Sequence, residues 1–240
     1  MRDQLLDLVE HTYDLGCIDT IKVVGTDKDT AVSALAENHS VVIEANFSTP
    51  IAEFIGTFGM PNLNKLKILL NLPEYRENAK VTVTQRNSGE PDGINFENQT
   101  GDFCNQYRFM SSQIINEQLK TAKFKGTNWD VEFEPTVASI QRLRMQAQAN
   151  AEEPLFQVRV EKRDLKFYFG DHSTHGGNFV FQSDVTGVLK HSWAWPVSIF
   201  QSILNLTGDK QVKFSDAGAA EIVVNSGMAV YRYILPAQKK

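Results

Sequence analysis

Cysteine is nearly absent: Cys17 and Cys104 are the only two in 240 residues. They lack ligand spacing, which excludes a disulfide framework and a cysteine zinc site, and both are expected to be buried free thiols. No run reaches the ~18 apolar residues that a membrane-spanning helix needs. The opening Met1-Arg2-Asp3-Gln4-Leu5-Leu6-Asp7 breaks its apolar residues with acids, which a secretory segment does not tolerate. A soluble cytoplasmic protein without membrane attachment is expected, in which the sequons at Asn38, Asn46, Asn98 and Asn205 are coincidental. Missing too are a Gly-x-x-x-x-Gly-Lys phosphate loop, a Gly-x-Gly-x-x-Gly fingerprint and a Gly-x-Ser-x-Gly elbow. Asp171-His172 with His175 sets two imidazoles beside a carboxylate, but in a Gly-rich segment with no further ligand nearby. It is read as a polar turn, so neither a metal, a cofactor nor an enzyme is expected. The formal charge of −5 argues against a basic coat, though not against a segregated basic face.

What is present is a mixed pattern that repeats. Residues 2–14 read as a helix, with Leu5, Leu8, Val9 and Thr12 on one side and Gly16 as its stop. Strands follow at Asp19–Val24, Ala31–Ala36 and Val41–Phe47, then Glu53–Phe58 runs into a helix over residues 61–70 with Pro61 in its first turn. Lys80–Gln85, Gly93–Glu97 and Asn105–Met110 are three further strands. Residues 111–128 carry no strong period and read as a connector. A helix then opens near Pro135, with strands at Phe156–Glu161, Leu165–Phe169 and Phe179–Ser183. His191–Trp195 leads into a helix at Pro196, and Gln211–Phe214, Ala220–Val224 and Ala229–Leu235 close the chain. Ile68-Leu69-Leu70-Asn71-Leu72 echoes Ser202-Ile203-Leu204-Asn205-Leu206, and Tyr107-Arg108-Phe109 echoes Tyr231-Arg232-Tyr233. A duplicated α+β architecture follows: a domain over 1–112, a connector over 113–128 and a second domain over 129–240.

On the strand-to-helix passages Phe58–Leu72 and Trp195–Leu206, and on the ending Val212-Lys213-Phe214-Ser215-Asp216-Ala217-Gly218 through Val230-Tyr231-Arg232-Tyr233-Ile234-Leu235-Pro236-Ala237, the sequence resembles the DNA sliding clamp family. The likeness is to the two-domain clamps of bacteriophages and of the proliferating cell nuclear antigen type. It implies two similar domains, each of two β-α-β-β-β units, with helices lining a ring and sheets outside. The implied role is that of a processivity factor, a homotrimer that encircles double-stranded DNA without reading its sequence. Its partners would be a DNA polymerase and a clamp loader, in the host bacterial cytoplasm for a phage protein. Helix packing agrees: at ~10 Å per helix, twelve helices leave a hole of roughly 28 Å and eight only about 15 Å, against a duplex about 20 Å across. Three chains fit. The rival reading is a non-enzymatic β-rich structural or ligand-binding protein, such as a virion or carbohydrate-binding module.

The resemblance assigns DNA-facing roles to Lys65, Lys67 and Asn71 on the second helix and to Arg142, Arg144 and Gln146 on the third. A helical wheel sets Lys67 opposite Leu63, Leu66 and Leu70, and Arg142 with Ser139 and Gln146 opposite Ile140, Leu143 and Ala147. The first helix instead shows Asp3, Asp7, Glu10 and Asp14, with His11 read as a surface histidine, and the fourth is neutral. A partner-peptide pocket would draw on Ile114, Ile115, Leu119 and Phe124 of the connector side and on Leu235, Pro236 and Ala237 of the tail. Subunits would pair Phe103–Met110 with Phe179–Asp184 of the next chain, bringing in Phe103, Tyr107, Phe109, Phe179 and Phe181 and covering two sheet edges. Trp193 and Trp195 are read as core or sheet surface.

Overall fold

The computed structural model describes residues 1–87, 89–119, 124–170 and 175–238. The chain divides into two compact units, Met1–Lys123 with Ser226–Tyr231, and Phe124–Asn225 with Arg232–Lys240.

The first unit opens directly on α1 (Arg2–Glu10), followed by β1 (Ile21–Gly25), β2 (Thr30–Leu35), β3 (Val42–Phe47) and β4 (Gly56–Met60). Next come α2 (Leu63–Asn71), β5 (Lys80–Gln85), β6 (Pro91–Glu97), β7 (Cys104–Arg108) and α3 (Ser112–Gln118). The first four strands lie in the order β4-β1-β2-β3, all antiparallel, and β5-β6-β7 form a separate three-stranded sheet. Alternation in β2, with Thr30, Val32 and Ala34 buried and their neighbours half-exposed, matches a strand with one packed face. Helix α2 begins where the Asn62 side chain accepts a hydrogen bond from Lys65 N at 3.1 Å. Pro61 therefore precedes the cap and does not occupy the first turn. Leu63, Leu66, Leu69 and Leu70 are buried beneath it.

The second unit repeats that plan. It runs β8 (Val131–Phe133), α4 (Val137–Ala149), β9 (Leu155–Glu161), β10 (Asp164–Phe169), β11 (Gly177–Gln182), β12 (Ala194–Pro196), α5 (Val197–Leu204), β13 (Asp209–Ser215), β14 (Ala219–Asn225) and β15 (Ala229–Pro236). The order β12-β9-β10-β11 reproduces β4-β1-β2-β3 strand for strand, and β13, β14 and β15 take the places of β5, β6 and β7. Thr136 caps α4 by accepting from Ser139 N at 3.0 Å. The core is aromatic: Phe167 lies 4.4 Å from Phe181 and 4.5 Å from Phe156, ring to ring. Trp195 is buried, its indole N–H donating to Leu235 O at 3.2 Å, while half-buried Trp193 donates to Asp216 O at 2.7 Å.

Three expectations are corrected. The segment read as a plain connector contains α3, because Ser111 caps its first turn and Ile115 is buried against β4. That packing requires Gly59, where a Cβ atom would lie 2.8 Å from the Ile115 side chain. Cys104 is exposed at the start of β7 and not buried, whereas Cys17 is half-buried and its thiol pKa is raised by burial. His11 is fully buried, stacked on Tyr231 at 4.5 Å, and Asp7 turns inward to accept from the Tyr231 hydroxyl at 2.7 Å. Of the four acids expected on one polar face, Asp7 has therefore left it.

Candidate nucleic-acid and partner interfaces

The polar faces of the helices are ordered by what flanks them. In the first unit α1 packs beside α2, and the Lys67 ammonium reaches back to Asp14 at 2.7 Å while lying 5.7 Å above the Tyr13 ring. In the second unit α4 packs beside α5, and Arg144 donates to Asn205 Oδ1 at 2.5 Å. The two contacts are alike in kind but not in place, since Lys67 lies on the second helix of its pair and Arg144 on the first of its pair. Lys67 follows the buried Leu66 by one residue as Arg144 follows the buried Leu143, and each cation meets a residue just beyond the end of the companion helix.

Lys65 and Arg142 precede the same leucines and so occupy the opposite flank of each helix. Lys65 is exposed, and Arg142 lies 5.5 Å above the Phe179 ring. That flank of α4 faces β11. Along it Ser139 is buried, Arg142 is exposed and Gln146 is half-buried, accepting from the Asn150 amide at 3.2 Å. Apolar side chains are exposed beside these cations: Ile68 is 49% and Met145 65% exposed. Asn71 is exposed, its amide donating to Lys67 O at 2.8 Å.

The residues assigned to a partner pocket lie in both units. Ile114 is exposed on α3, Ile115 faces the core, and half-buried Leu119 lines a groove of about 1230 Å³ with Tyr13, Asp19, Leu35, His39 and Met110. In the second unit half-buried Phe124 stacks on Trp129 at 5.9 Å, Leu235 is buried, Pro236 is exposed and Ala237 N donates to Gly218 O at 2.9 Å. The groove escaped the sequence reading because its walls come from turns distant along the chain.

Strand β7 ends the three-stranded sheet and β11 ends β11-β10-β9-β12. Tyr107 is buried, its hydroxyl donating to Pro61 O at 2.5 Å, and burial followed by the Asp19 charge raises its pKa. Phe109, Phe179 and Phe181 are buried as well, whereas Phe103 is 41% exposed. Among the described residues no group of three or more metal-ligating side chains occurs. Asp171 and His172 lie outside them, and His175 is exposed. No described helix is long and apolar enough to cross a membrane.

No family model matches the chain, and no curated protein matches it by sequence. Solved structures do match. PCNA from A. fulgidus, solved with the C-terminal region of FEN-1 bound, is similar with a TM-score of 0.71 over 98% of this chain and 96% of that one, at 9% identity. PCNA from Thermococcus kodakaraensis gives 0.67 over 99% and 97%, at 11% identity. The chain has the DNA sliding clamp fold.

Proposed function

We propose that this protein is a DNA polymerase processivity factor, a sliding clamp that makes and breaks no covalent bonds. Three copies close into a ring around duplex DNA, which a clamp loader opens and to which a polymerase is tethered. The reading is carried by the fold likeness over nearly the whole chain, together with the helix pair that each unit supplies. Partner segments would dock as short peptides, as the C-terminal region of FEN-1 is bound by A. fulgidus PCNA, and α3 of the first unit offers them a surface. Of the assigned set, Ile114 and Pro236 are exposed and Leu119, Phe124 and Ala237 are half-buried. Subunits join edge to edge through β7 and β11, which leaves neither edge open to indiscriminate pairing.

Two measurements test encirclement. Native mass spectrometry should give a species near 81 kDa, three times 27.0 kDa. On linear duplex DNA whose ends are capped with streptavidin after the protein has threaded on, a high-salt wash should leave it bound, while open-ended DNA should lose it. Equal loss from both would overturn encirclement.

The electrostatics make a finer prediction. Each phosphate contact contributes roughly 0.9 to the logarithmic salt slope of duplex affinity, so removing one cation from each of three copies should lower the slope by about 2.7. Lys65→Gln or Arg144→Gln is expected to approach that value. Lys67→Gln should change the slope less, because Asp14 already neutralises Lys67 at 2.7 Å. An equal effect from Lys67→Gln in a salt titration would refute this ordering.

A further inference from the structure

The groove of about 1230 Å³ in the first unit is apolar in its depth and acidic at its rim. Buried Ile18 and half-buried Leu35, Met110 and Leu119 supply the apolar lining. Around them stand the exposed carboxylates Asp14, Asp19 and Glu37, against a single ammonium, Lys67, with His39 counted neutral. Of the residues that the resemblance assigns to a partner pocket only Leu119 lines this groove, and no tail residue does. We propose that it is a separate docking surface for a cationic peptide segment of a partner protein, one that sets lysine or arginine beside an apolar anchor. The groove is complete within the first unit of one copy, so the proposal stands apart from ring closure.

The acids are held on separate walls. Asp19 lies between α1 and β1, and its carbonyl accepts from Leu63 N at 3.1 Å, which fixes it beside the start of α2. Burial, and after it the Asp19 charge, raises the Tyr107 pKa, so this carboxylate lies near the hydroxyl that donates to Pro61 O. Glu37 stands in the turn between β2 and β3. Asp14 is already matched by Lys67 at 2.7 Å, whereas neither Asp19 nor Glu37 forms an ion pair among the described residues. Two walls of the groove therefore each present a carboxylate without a counter-charge.

This chemistry selects the occupant. The groove is larger than the ~300–1,000 Å³ of most small-molecule sites, and among the described residues no three metal-ligating side chains converge. Nucleic acid is disfavoured, since carboxylates without a counter-charge oppose phosphates. A peptide satisfies both parts of the surface. An apolar anchor against Ile18 and Leu35 supplies affinity by leaving water, and cations placed against Asp19 and Glu37 select it over neutral or acidic competitors. Lys67 offers such a peptide little opposition, because its ammonium is held by Asp14 and lies 5.7 Å over the Tyr13 ring.

Random peptides displayed on phage and selected against the intact protein supply the probes, and each synthetic winner is titrated by fluorescence anisotropy. Winners that combine lysine or arginine with leucine or phenylalanine are expected. Asp19→Asn with Glu37→Gln should weaken their binding roughly tenfold, each exposed ion pair contributing up to about fivefold. Glu90→Gln, the same loss of charge in the turn between β5 and β6 outside the groove, should leave it unchanged. Leu35→Thr should weaken it through the anchor. Winners that are all indifferent to the double variant, or groove-dependent winners that are acidic or uncharged, would overturn the proposal. So would duplex DNA whose binding falls with the double variant, since that assigns the groove to nucleic acid. A strict monomer that still binds the cationic peptides would support the docking surface while removing the ring.

Discussion

Replacing Phe167 with alanine is expected to destabilise the second unit by about 3–5 kcal/mol, the range for emptying a fully buried aromatic site. Phe167 is 0% exposed at the centre of β10 and is the hub of the aromatic core. Its ring stacks on Phe181 at 4.4 Å and 8°, lies 4.5 Å from Phe156, and meets Phe179, Phe200 and Phe214 edge-on at 5.8, 5.9 and 6.1 Å. Five rings drawn from β9, β11, α5 and β13 cannot all collapse into one vacancy, so most of the cavity should persist. Phe167→Leu keeps much of the volume and should cost about 1 kcal/mol. Trp129, Trp193 and Trp195 all belong to the second unit, so a urea titration followed by tryptophan fluorescence at fixed protein concentration reads this unit directly. A loss below about 1 kcal/mol for the alanine variant would mean that the core closes around the gap.

The parts of this fold that were legible in the sequence are those whose signal is local and repeated. The leucines of α2 recur at helical spacing and are buried as a set. Tyr107-Arg108-Phe109 and Tyr231-Arg232-Tyr233 begin in β7 and β15, which hold equivalent places in the two units. The short strand β8 was missed, since three residues carry too little alternation, and it exists only because Lys213 and its neighbours on β13 pair with it. Likewise α3 was hidden. Its only apolar residues, Ile114 and Ile115, are adjacent and show no helical period, and the Gly59 that admits Ile115 lies far earlier in the chain.

Charge placement was least legible, because the decisive partners are remote. His11 and Asp7 look like a solvated helix edge until Tyr231 arrives from 224 positions away from Asp7 to stack on one and hydrogen-bond the other. Lys67 reads as a free cation, but Asp14, 53 positions distant, pairs with it across the helix gap. A wheel drawn on α4 groups Ser139 with Arg142 and cannot tell that the first is buried while the second is exposed. The exposed faces of α2 and α4 mix apolar Ile68 and Met145 with few cations, Lys65, Arg142 and Arg144. A surface of that kind would grip phosphates weakly, as the proposed encirclement of DNA asks.

Buried charge in the second unit sets up the other large effect, and an asymmetry within it. Glu221 on β14 is 1% exposed, and Arg232 Nε and Nη2 donate to its Oε1 at 2.8 and 2.6 Å. The Lys213 ammonium lies 3.4 Å from its Oε2 and 3.9 Å from Glu132. Removing one partner of a buried pair strands the other, at about 3–5 kcal/mol when the survivor cannot reach water. The survivors here differ. After Arg232→Ala the carboxylate stays buried with Lys213 as its remaining cation, so a loss near 3 kcal/mol is expected. After Glu221→Gln the Arg232 side chain, 41% exposed, can turn to solvent and Lys213 can shift to Glu132, which limits the loss to about 1–2 kcal/mol. The pair Glu221→Leu with Arg232→Met removes both charges and should recover most of the stability lost by Arg232→Ala, because an apolar pair has no ion to desolvate. Urea midpoints for the three variants decide it. Equal losses from the two single changes, or a double variant worse than Arg232→Ala, would show that the exposed arginine and not the buried carboxylate controls this sheet.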